Sequence, residues 1–555
     1  MSARFNIKAA EPEAVASLQR ELHMPHFIAA TLVSRGIDTP EAANRFLTPS
    51  LDRDWRDPYI IPGLSEAADA LEAAIRRGDH ILVFGDFDLD GISATTVMTR
   101  GLREFGAHIT PFIPRRFEEG YAITPAAIER LSQVKPDFLV TVDCGIACKA
   151  EVRLLQERGI EVAVTDHHEP SDLVPEGVPV ADPKRDPACP SAILAGVGVA
   201  LKMVQALGGR FGKPHLWRQY TDFATLGTIA DLMPMRDENR ALVADGLRRI
   251  NQAPRPCIAA LLDTSGASGK QVTATNLSFS IIPRLNAAGR MGDAQLALDL
   301  LLTDDFEQAN QQALRLESVN DQRRAIEAEL SEIAKAQAAE TYKGQRALVV
   351  AGEGWHEGVK GIVASRLVNT YGVPCLLFTI DGDEARGSGR SVGQVNLFKA
   401  VESCSDLLLR FGGHEAAVGV TLPTEKLPEF ERRLCEYMDA LPEGAFHPLI
   451  TIDACVNLDE LTLRNVAQLD ALAPFGQEHP VPVYLARDVT LLHSRAVGAE
   501  RNHFSCSLSN GRTTVAGIMF HCNDIEALMK TDSVVNAAFE VQIDEWKNRR
   551  SVKAM

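Results

Sequence analysis

No stretch of this 555-residue chain approaches the ~18 consecutive apolar residues that cross a bilayer. Its opening, Met1-Ser2-Ala3-Arg4-Phe5-Asn6-Ile7, has none of the apolar core of a secretory signal. A cytoplasmic protein without membrane contact is expected. The ten cysteines form no Cys-x-x-Cys pair, which argues against a zinc site and a disulfide framework, so reduced, mostly buried thiols are expected. Surplus positive charge is also missing, since 57 Lys and Arg face 74 Asp and Glu for a net charge of −17. A protein that coats nucleic acid by bulk attraction needs the opposite balance. A local basic channel stays compatible, because net charge does not say how charges are arranged. What is present is ordinary globular composition, 45% hydrophobic and 24% charged. The length suits roughly three to four domains.

Within that composition one stretch stands apart. Gly85-Asp86-Phe87-Asp88-Leu89-Asp90-Gly91 closes the apolar run Ile81-Leu82-Val83-Phe84. Three carboxylates so close together repel one another unless cations sit among their oxygens. From about residue 64 onward, strand-like runs alternate with amphipathic helical stretches. His80 to Phe84, Ala107 to Ile113, Phe138 to Val142, Val162 to Thr165 and Val178 to Ala181 read as strands, and Ile92 to Phe105 and Ala147 to Arg158 as helices. This alternation implies a parallel sheet covered by helices, whose sites form at the carboxyl ends of the strands. Asp143 and Asp166-His167-His168 fall at such ends, and Leu226-Gly227-Thr228-Ile229-Ala230-Asp231 adds a further carboxylate. A lone strand-end Asp is ordinarily a turn or helix cap. Four strand-end Asp/His groups in one alternating domain point instead to a shared metal site. Carboxylates with imidazole and no thiolate suit Mn²⁺ or Mg²⁺ better than zinc. Two such ions can drive phosphodiester cleavage.

Taken in order, Gly85–Gly91, Val142-Asp143-Cys144-Gly145, Asp166-His167-His168 and Gly227-Thr228-Ile229-Ala230-Asp231 resemble the four motifs of the DHH phosphoesterase superfamily. Within it the chain is most similar to the bacterial single-strand-specific 5′ to 3′ DNA exonucleases, over residues from about 60 to near the end. The resemblance implies two ions, Mn²⁺ or Mg²⁺, held by Asp86, Asp88, Asp143, His167 and Asp231, with Asp90 a ligand or a group supporting one. It gives Asp143, His167, His168 and Asp231 catalytic roles, with His168 meeting the scissile phosphate and Asp166 fixing a histidine tautomer. Which carboxylate bridges the ions is open. In Pro114-Arg115-Arg116-Phe117-Glu118-Glu119-Gly120-Tyr121, Arg116 would face a phosphate; Ala122 stands where glycine is usual. Pro283-Arg284-Leu285-Asn286-Ala287-Ala288-Gly289-Arg290 also matches, which assigns Arg284, Asn286 and Arg290 to the substrate, although its arginines could equally cap a helix. Leu194 to Ala200 reads as a packing segment.

Residues 304 to 343 lack internal Gly and Pro and read as one long helix. A second α/β unit follows over 344–442. Gly387-Ser388-Gly389-Arg390-Ser391, on pattern alone a flexible turn, resembles the DHHA1 domain, as does Phe411-Gly412-Gly413-His414. Ser388 and Arg390 would then hold a terminal 5′ phosphate, and His414 the DNA backbone. Beyond 443 the pattern turns β, with candidate strands Leu449 to Val456, Pro482 to Leu492, Asn502 to Leu508, Thr513 to Phe520 and Val534 to Trp546, as an OB-type barrel needs. Phe504, Trp546, Lys547, Arg549 and Arg550 could supply stacking and charge there, with Phe504 equally a core residue. Glu478-His479 stands where Gly-Asn is commoner in the segment leading in.

The expected fold class is therefore α/β: a parallel-sheet DHH domain (64–303) and a smaller α/β DHHA1 domain (344–442) joined by a long helix (304–343). An N-terminal lead-in (1–63) and a C-terminal OB-type β-barrel (443–555) complete it. The expected function is hydrolysis of single-stranded DNA to 5′ mononucleotides in repair and recombination, by a monomer, with a single-stranded-DNA-binding protein and a helicase as expected partners. Two other readings are open on the motifs. An enzyme of the superfamily acting on short oligoribonucleotides, cyclic dinucleotides or pyrophosphate would share the metal residues, but the β-rich C-terminal region disfavours it. A non-catalytic DNA-binding scaffold would have lost ligands, and none is lost.

Overall fold

The computed structural model describes residues 4–522, 524–530, 534–546 and 549–555, so Lys547 and the side chain of Trp546 lie outside the described residues. The chain forms two compact units, one of residues 50–446 with 476–479, the other of 4–49 with 447–475 and 480–555.

In the larger unit, runs of β-branched and aromatic residues form five strands, His80–Phe84, His108–Phe112, Phe138–Val142, Glu161–Thr165 and Val180–Ala181. All pair in parallel. Phe138–Val142 is buried throughout, as a parallel strand covered on both faces must be. Spatially the strand beginning at His108 is outermost, followed by those beginning at His80, Phe138, Glu161 and Val180. The chain thus leaves His80–Phe84 toward one side and later returns to the other. The crevice between His80–Phe84 and Phe138–Val142 is the switch point, where sites form in such sheets. Helix Leu89–Glu104 starts directly over it.

Residues 196–302 add a helical layer. Helices Gly196–Arg210 and Thr221–Ala230 pack on Leu89–Glu104 so closely that a methyl at Gly101 would lie 2.5 Å from Val204. The run Leu226–Ala230 is therefore helical, and Asp231 leaves the end of a helix rather than a strand. Apolar side chains bury this segment on all sides, which erases the periodicity that separates the two.

One helix, Phe306–Thr341, then runs 36 residues, capped by Asp305, whose carboxylate accepts the Gln308 amide. At ~1.5 Å per residue it is about 54 Å long. It leads to a five-stranded sheet in the order Arg410–His414, Ala417–Pro423, Glu384–Arg390, Cys375–Asp381, Leu348–Glu353. Gly387 to Arg390 is thus strand, not turn. A methyl at Gly387 would lie 2.4 Å from the Phe378 ring, and one at Gly389 would lie 2.7 Å from Val418. Small residues are required on that face, and Ser388 and Arg390 occupy the other.

In the smaller unit, Val483–Val497, His503–Ser509, Thr514–Met519, Arg549–Ala554 and Val535–Trp546 close into a ring, the last pairing back onto the first. Arg549 and Arg550 thereby belong to a strand the sequence pattern does not reveal. Phe504 is buried in this barrel. The N-terminal segment is not a separate lead-in, because helices Pro12–Leu22 and His26–Ser34 supply Leu18, Phe27, Ile28 and Leu32 to the same core as Tyr484 and Leu508. Phe27 meets Tyr484 edge to face at 5.3 Å, and Arg35 pairs with Asp453 at 2.8 Å.

Behind the parallel sheet, Lys202 is fully buried against Glu238, the Arg56 carbonyl (2.6 Å) and the Trp55 ring (3.7 Å). Burial pulls its pKa down to about 8 against the opposing charge of Glu238. Removing one member of a buried pair strands the other. Lys202→Met is expected to lower stability by about 3 kcal/mol in urea denaturation. A loss under about 0.5 kcal/mol, the level of an ordinary surface substitution, would contradict this account.

Candidate active site

The site is assembled at the carboxyl edge of the parallel sheet. After His80–Phe84 the chain folds back so tightly that a methyl at Gly91 would lie 2.6 Å from the Asp86 amide. Glycine is required there. Asp86 is buried, and its Oδ1 has no hydrogen-bond partner. Asp88 caps the helix, its Oδ1 accepting the amides of Asp90 (2.9 Å) and Gly91 (3.1 Å). Asp90 accepts the amides of Gly196 (2.7 Å) and Val197 (3.0 Å) at the start of Gly196–Arg210. A helix N-terminus offers unpaired N–H groups and positive potential, so it anchors a buried carboxylate well. The segment read as packing therefore also holds Asp90. Gly196 has a second reason to be glycine, since a methyl there would sit 2.4 Å from the Asp143 Cβ.

Asp143 follows Phe138–Val142 with φ of 62°, left-handed backbone that, glycine aside, Asn and Asp adopt most readily. This directs its carboxylate inward, where Oδ1 lies 3.1 Å from His167 Nε2 without hydrogen-bond geometry. Asp231 Oδ2 is 3.6 Å and Asp90 Oδ2 3.8 Å from the same nitrogen. Three groups have ligand atoms within 4.8 Å of one another: Asp86, Asp88 and Asp143; Asp90, His167 and Asp231; Asp143, His167 and His168. Burial, then mutual repulsion, pushes Asp86, Asp90 and Asp143 well above the usual carboxylate range; the same causes push Asp231 up to about 6. Orphaned oxygens on Asp86 and Asp143, beside the buried His167 imidazole, fit divalent cations.

The adjacent histidines divide. Their rings lie 4.5 Å apart, but burial first, then the charge of His168, lowers His167 to about 3, which keeps it neutral as a ligand must be. His168 goes the other way. Burial opposes its charge, but the hydrogen bond from Nδ1 to Asp166 (2.8 Å) and the nearby carboxylates raise it to about 9. Burial alone would raise Asp166, yet the hydrogen bond and charge of His168 hold it below its ordinary value; it also accepts the amides of Ile146, His167 and His168. The Tyr121 hydroxyl lies 3.4 Å from His168 Nε2.

Facing this negative cluster is a set of guanidiniums. Arg116 lies over the Phe87 ring at 4.9 Å; burial lowers its pKa while Asp86 and Asp88 pull it back. Arg290 is pushed down to about 10 by burial and then by Arg116, Arg390 and Arg323, and it donates to the Gly358 carbonyl at 3.2 Å. Arg390 Nη2 lies where a methyl on Gly361 would come within 2.5 Å, so glycine lets it rest on the start of helix Lys360–Tyr371. Ser388 shares its strand face, and Asn286 Oδ1 accepts the Leu89 amide at 3.1 Å.

Two expected substrate residues sit differently. Arg284 is buried and gives its guanidinium to Glu317 and the Ser280 carbonyl (2.6 Å), so it ties its helix to the long one instead of facing a ligand. His414 stands exposed at the end of Arg410–His414, and among the described residues no hydrogen bond or ion pair joins it to the carboxylates. Sequence reasoning missed Lys184, whose charge acts on His167 and Asp231, and His356, whose ring meets Phe117 at 5.5 Å. A lysine following a two-residue strand gave no signal. His356 lay inside a glycine-rich stretch weak by itself.

A doubly wound sheet carrying Asp/His clusters at its carboxyl edge, joined by one long helix to a second α/β domain, defines a DHH-type phosphoesterase. Family models agree: the DHH family N-terminal domain matches residues 80–228, the DHHA1 domain 344–440 and the RecJ OB domain 452–555. The single-stranded-DNA-specific exonuclease RecJ of Bacillus subtilis is 35% identical over 557 residues, which span 100% of this chain and 70% of that protein. The RecJ of Escherichia coli is 31% identical over 580 residues, 100% of this chain and 98% of the relative. The crystal structure of Thermus thermophilus RecJ in complex with Mn²⁺ superposes with a TM-score of 0.85 at 30% identity, covering 99% of this chain and 78% of that one. The chain belongs to the RecJ family.

The crowding of carboxylates gives a test with two signs. Mn²⁺ at about a hundredfold its Kd is expected to stabilise the wild type by about 2.7 kcal/mol. Asp143→Asn should lose most of that gain, yet melt at or above the wild type without metal, because one repelling charge is gone and Asn tolerates φ near 62°. Thermal melts with Mn²⁺ and with EDTA measure both.

Proposed function

We propose that this chain is a metal-dependent exonuclease that hydrolyses single-stranded DNA from its 5′ end and releases 5′ mononucleotides. The observation that carries the reading is the juxtaposition of Arg116, Arg290 and Arg390 with the Asp/His cluster, an anion pocket directly beside a cation site. Planar guanidinium forks with a neighbouring hydroxyl suit a terminal phosphate monoester. Two Mn²⁺ or Mg²⁺ ions would be held by Asp86, Asp88, Asp90, Asp143, His167 and Asp231. When bound, such ions activate water and offset the charge gathering on a phosphodiester. The protein's own residues orient the strand. Arg390, Ser388 and Arg290 take the 5′ phosphate, and Arg116 reaches over Phe87 toward the next one. His168, aimed by its hydrogen bond to Asp166, meets the scissile phosphate.

In the same reading residues 64–303 are the DHH domain, 304–343 the connecting helix, 344–442 the DHHA1 domain and 443–555 the OB domain. The protein works in the cytoplasm as a monomer, on strands opened by a helicase and covered by a single-stranded-DNA-binding protein.

The test uses single-stranded DNA labelled at either end, wild type and Asp143→Ala, with Mn²⁺ or EDTA. Wild type alone should shorten the strand from its 5′ end, and only with metal. Cleavage restricted to dinucleotides would move the substrate elsewhere in the superfamily; binding without cleavage would make the chain a scaffold. A finer outcome concerns the end itself. Arg390→Ala should narrow the preference for a 5′-phosphorylated over a 5′-hydroxyl strand by at least about tenfold, the loss of a charge-assisted hydrogen bond. An unchanged ratio would remove Arg390 from the pocket.

A further inference from the structure

We propose that Phe279 stacks on a base of the substrate strand and marks the outer end of a track leading to the anion pocket. The proposal rests on the exonuclease reading above. Among the described residues Phe279 is the most exposed large hydrophobic side chain, at 83%. Single exposed apolar residues are common, so the weight falls on where this one sits. It lies in a π-helical turn, Leu277–Ile281, that runs into helix Ile282–Arg290. Such turns are rare and recur at functional positions.

From Ile281 to Arg290 the residues not fully buried are Pro283, Asn286 and Arg290. With Phe279 they are spaced four, three and four, which is a single helix face. The inner end of that face is already in the site. Asn286 accepts the amide of Leu89, next to Asp88 and Asp90, and Arg290 feels the guanidiniums of Arg116 and Arg390. The outer end is held firmly. Arg284, on the buried side, donates to the Ser280 carbonyl and pairs with Glu317 of the long helix, fixing the turn that carries Phe279.

Eleven steps at ~1.5 Å each put Phe279 about 16 Å along the axis from Arg290. A strand whose 5′ phosphate is gripped at Arg290 and Arg390 must continue away from the pocket, and this face continues with it. Its surface beyond Asn286 is a proline ring and a phenyl ring, with no charge. An unpaired base is the occupant that fits, since every base presents a π-face and stacking does not discriminate sequence, as an enzyme that removes each nucleotide in turn requires.

The experiment compares wild type, Phe279→Ala and Phe279→Trp, as full chains with Mn²⁺, on a long 5′-phosphorylated single strand and on a 5′-phosphorylated dinucleotide too short to reach the ring. Phe279→Ala should raise KM for the long strand by about tenfold, the loss of one base–aromatic stack, with kcat and the dinucleotide kinetics unchanged. Phe279→Trp should restore KM, and oligothymidylate should quench its emission beyond that of the wild type. Unchanged KM in Phe279→Ala, equal losses on both substrates, or no added quenching would each overturn the proposal. A wild type that cuts neither substrate overturns the exonuclease reading itself, and the proposal with it.

Discussion

Everything in the larger unit is arranged around a repulsion. Asp86, Asp90 and Asp143 are buried within reach of one another, and each is driven by burial and by its neighbours toward holding a proton. No hydrogen-bond scheme in the fold relieves Asp86 Oδ1 or Asp143 Oδ1. The parallel sheet makes the crowding possible, because adjacent strands separated by ~4.8 Å deliver their end residues to one edge. The switch point between His80–Phe84 and Phe138–Val142 leaves that edge open. A cation is the missing term in this arrangement, and the affinity for it is the repulsion it removes.

The fold offsets part of that cost without metal. Asp90 is held by two amides of a helix N-terminus, and Asp166 by three amides and His168. The second contact has a further effect, since it makes His168 the cation of the pair and leaves His167 neutral. Arginines complete the balance from the other side. The chain as a whole carries a net charge of −17, yet Arg116 and Arg390 gather about Arg290 within the field of Asp88. Net charge and local field are different quantities, and substrate recognition depends on the second.

The parts legible in the sequence were those with a local cause. Apolar runs such as Phe138–Val142 announce buried strands, a helix without Gly or Pro announces Phe306–Thr341, and three Asp in five residues need a reason wherever they fall. The converging carboxylates and His167 were among the residues the motifs singled out. What stayed hidden depends on distant partners. Asp231 was placed after a strand because a helix buried all round has no polar face. The first 49 residues looked idle because their partner, the barrel core around Tyr484, lies more than 400 positions away in sequence. Arg284 resembled a substrate ligand until Glu317 claimed it, and Arg549–Ala554 looked like a charged tail until it closed the ring. Phe279 gave no signal at all, since exposure is a property of the folded chain.

The central claim, that this edge of the sheet is built for two divalent cations, is tested most directly by anomalous diffraction from crystals grown with Mn²⁺. Two peaks are expected roughly 3.5 to 4 Å apart. One should lie among Asp86, Asp88 and Asp143, the other among Asp90, His167 and Asp231. A single peak, or manganese bound away from these residues, would contradict the account.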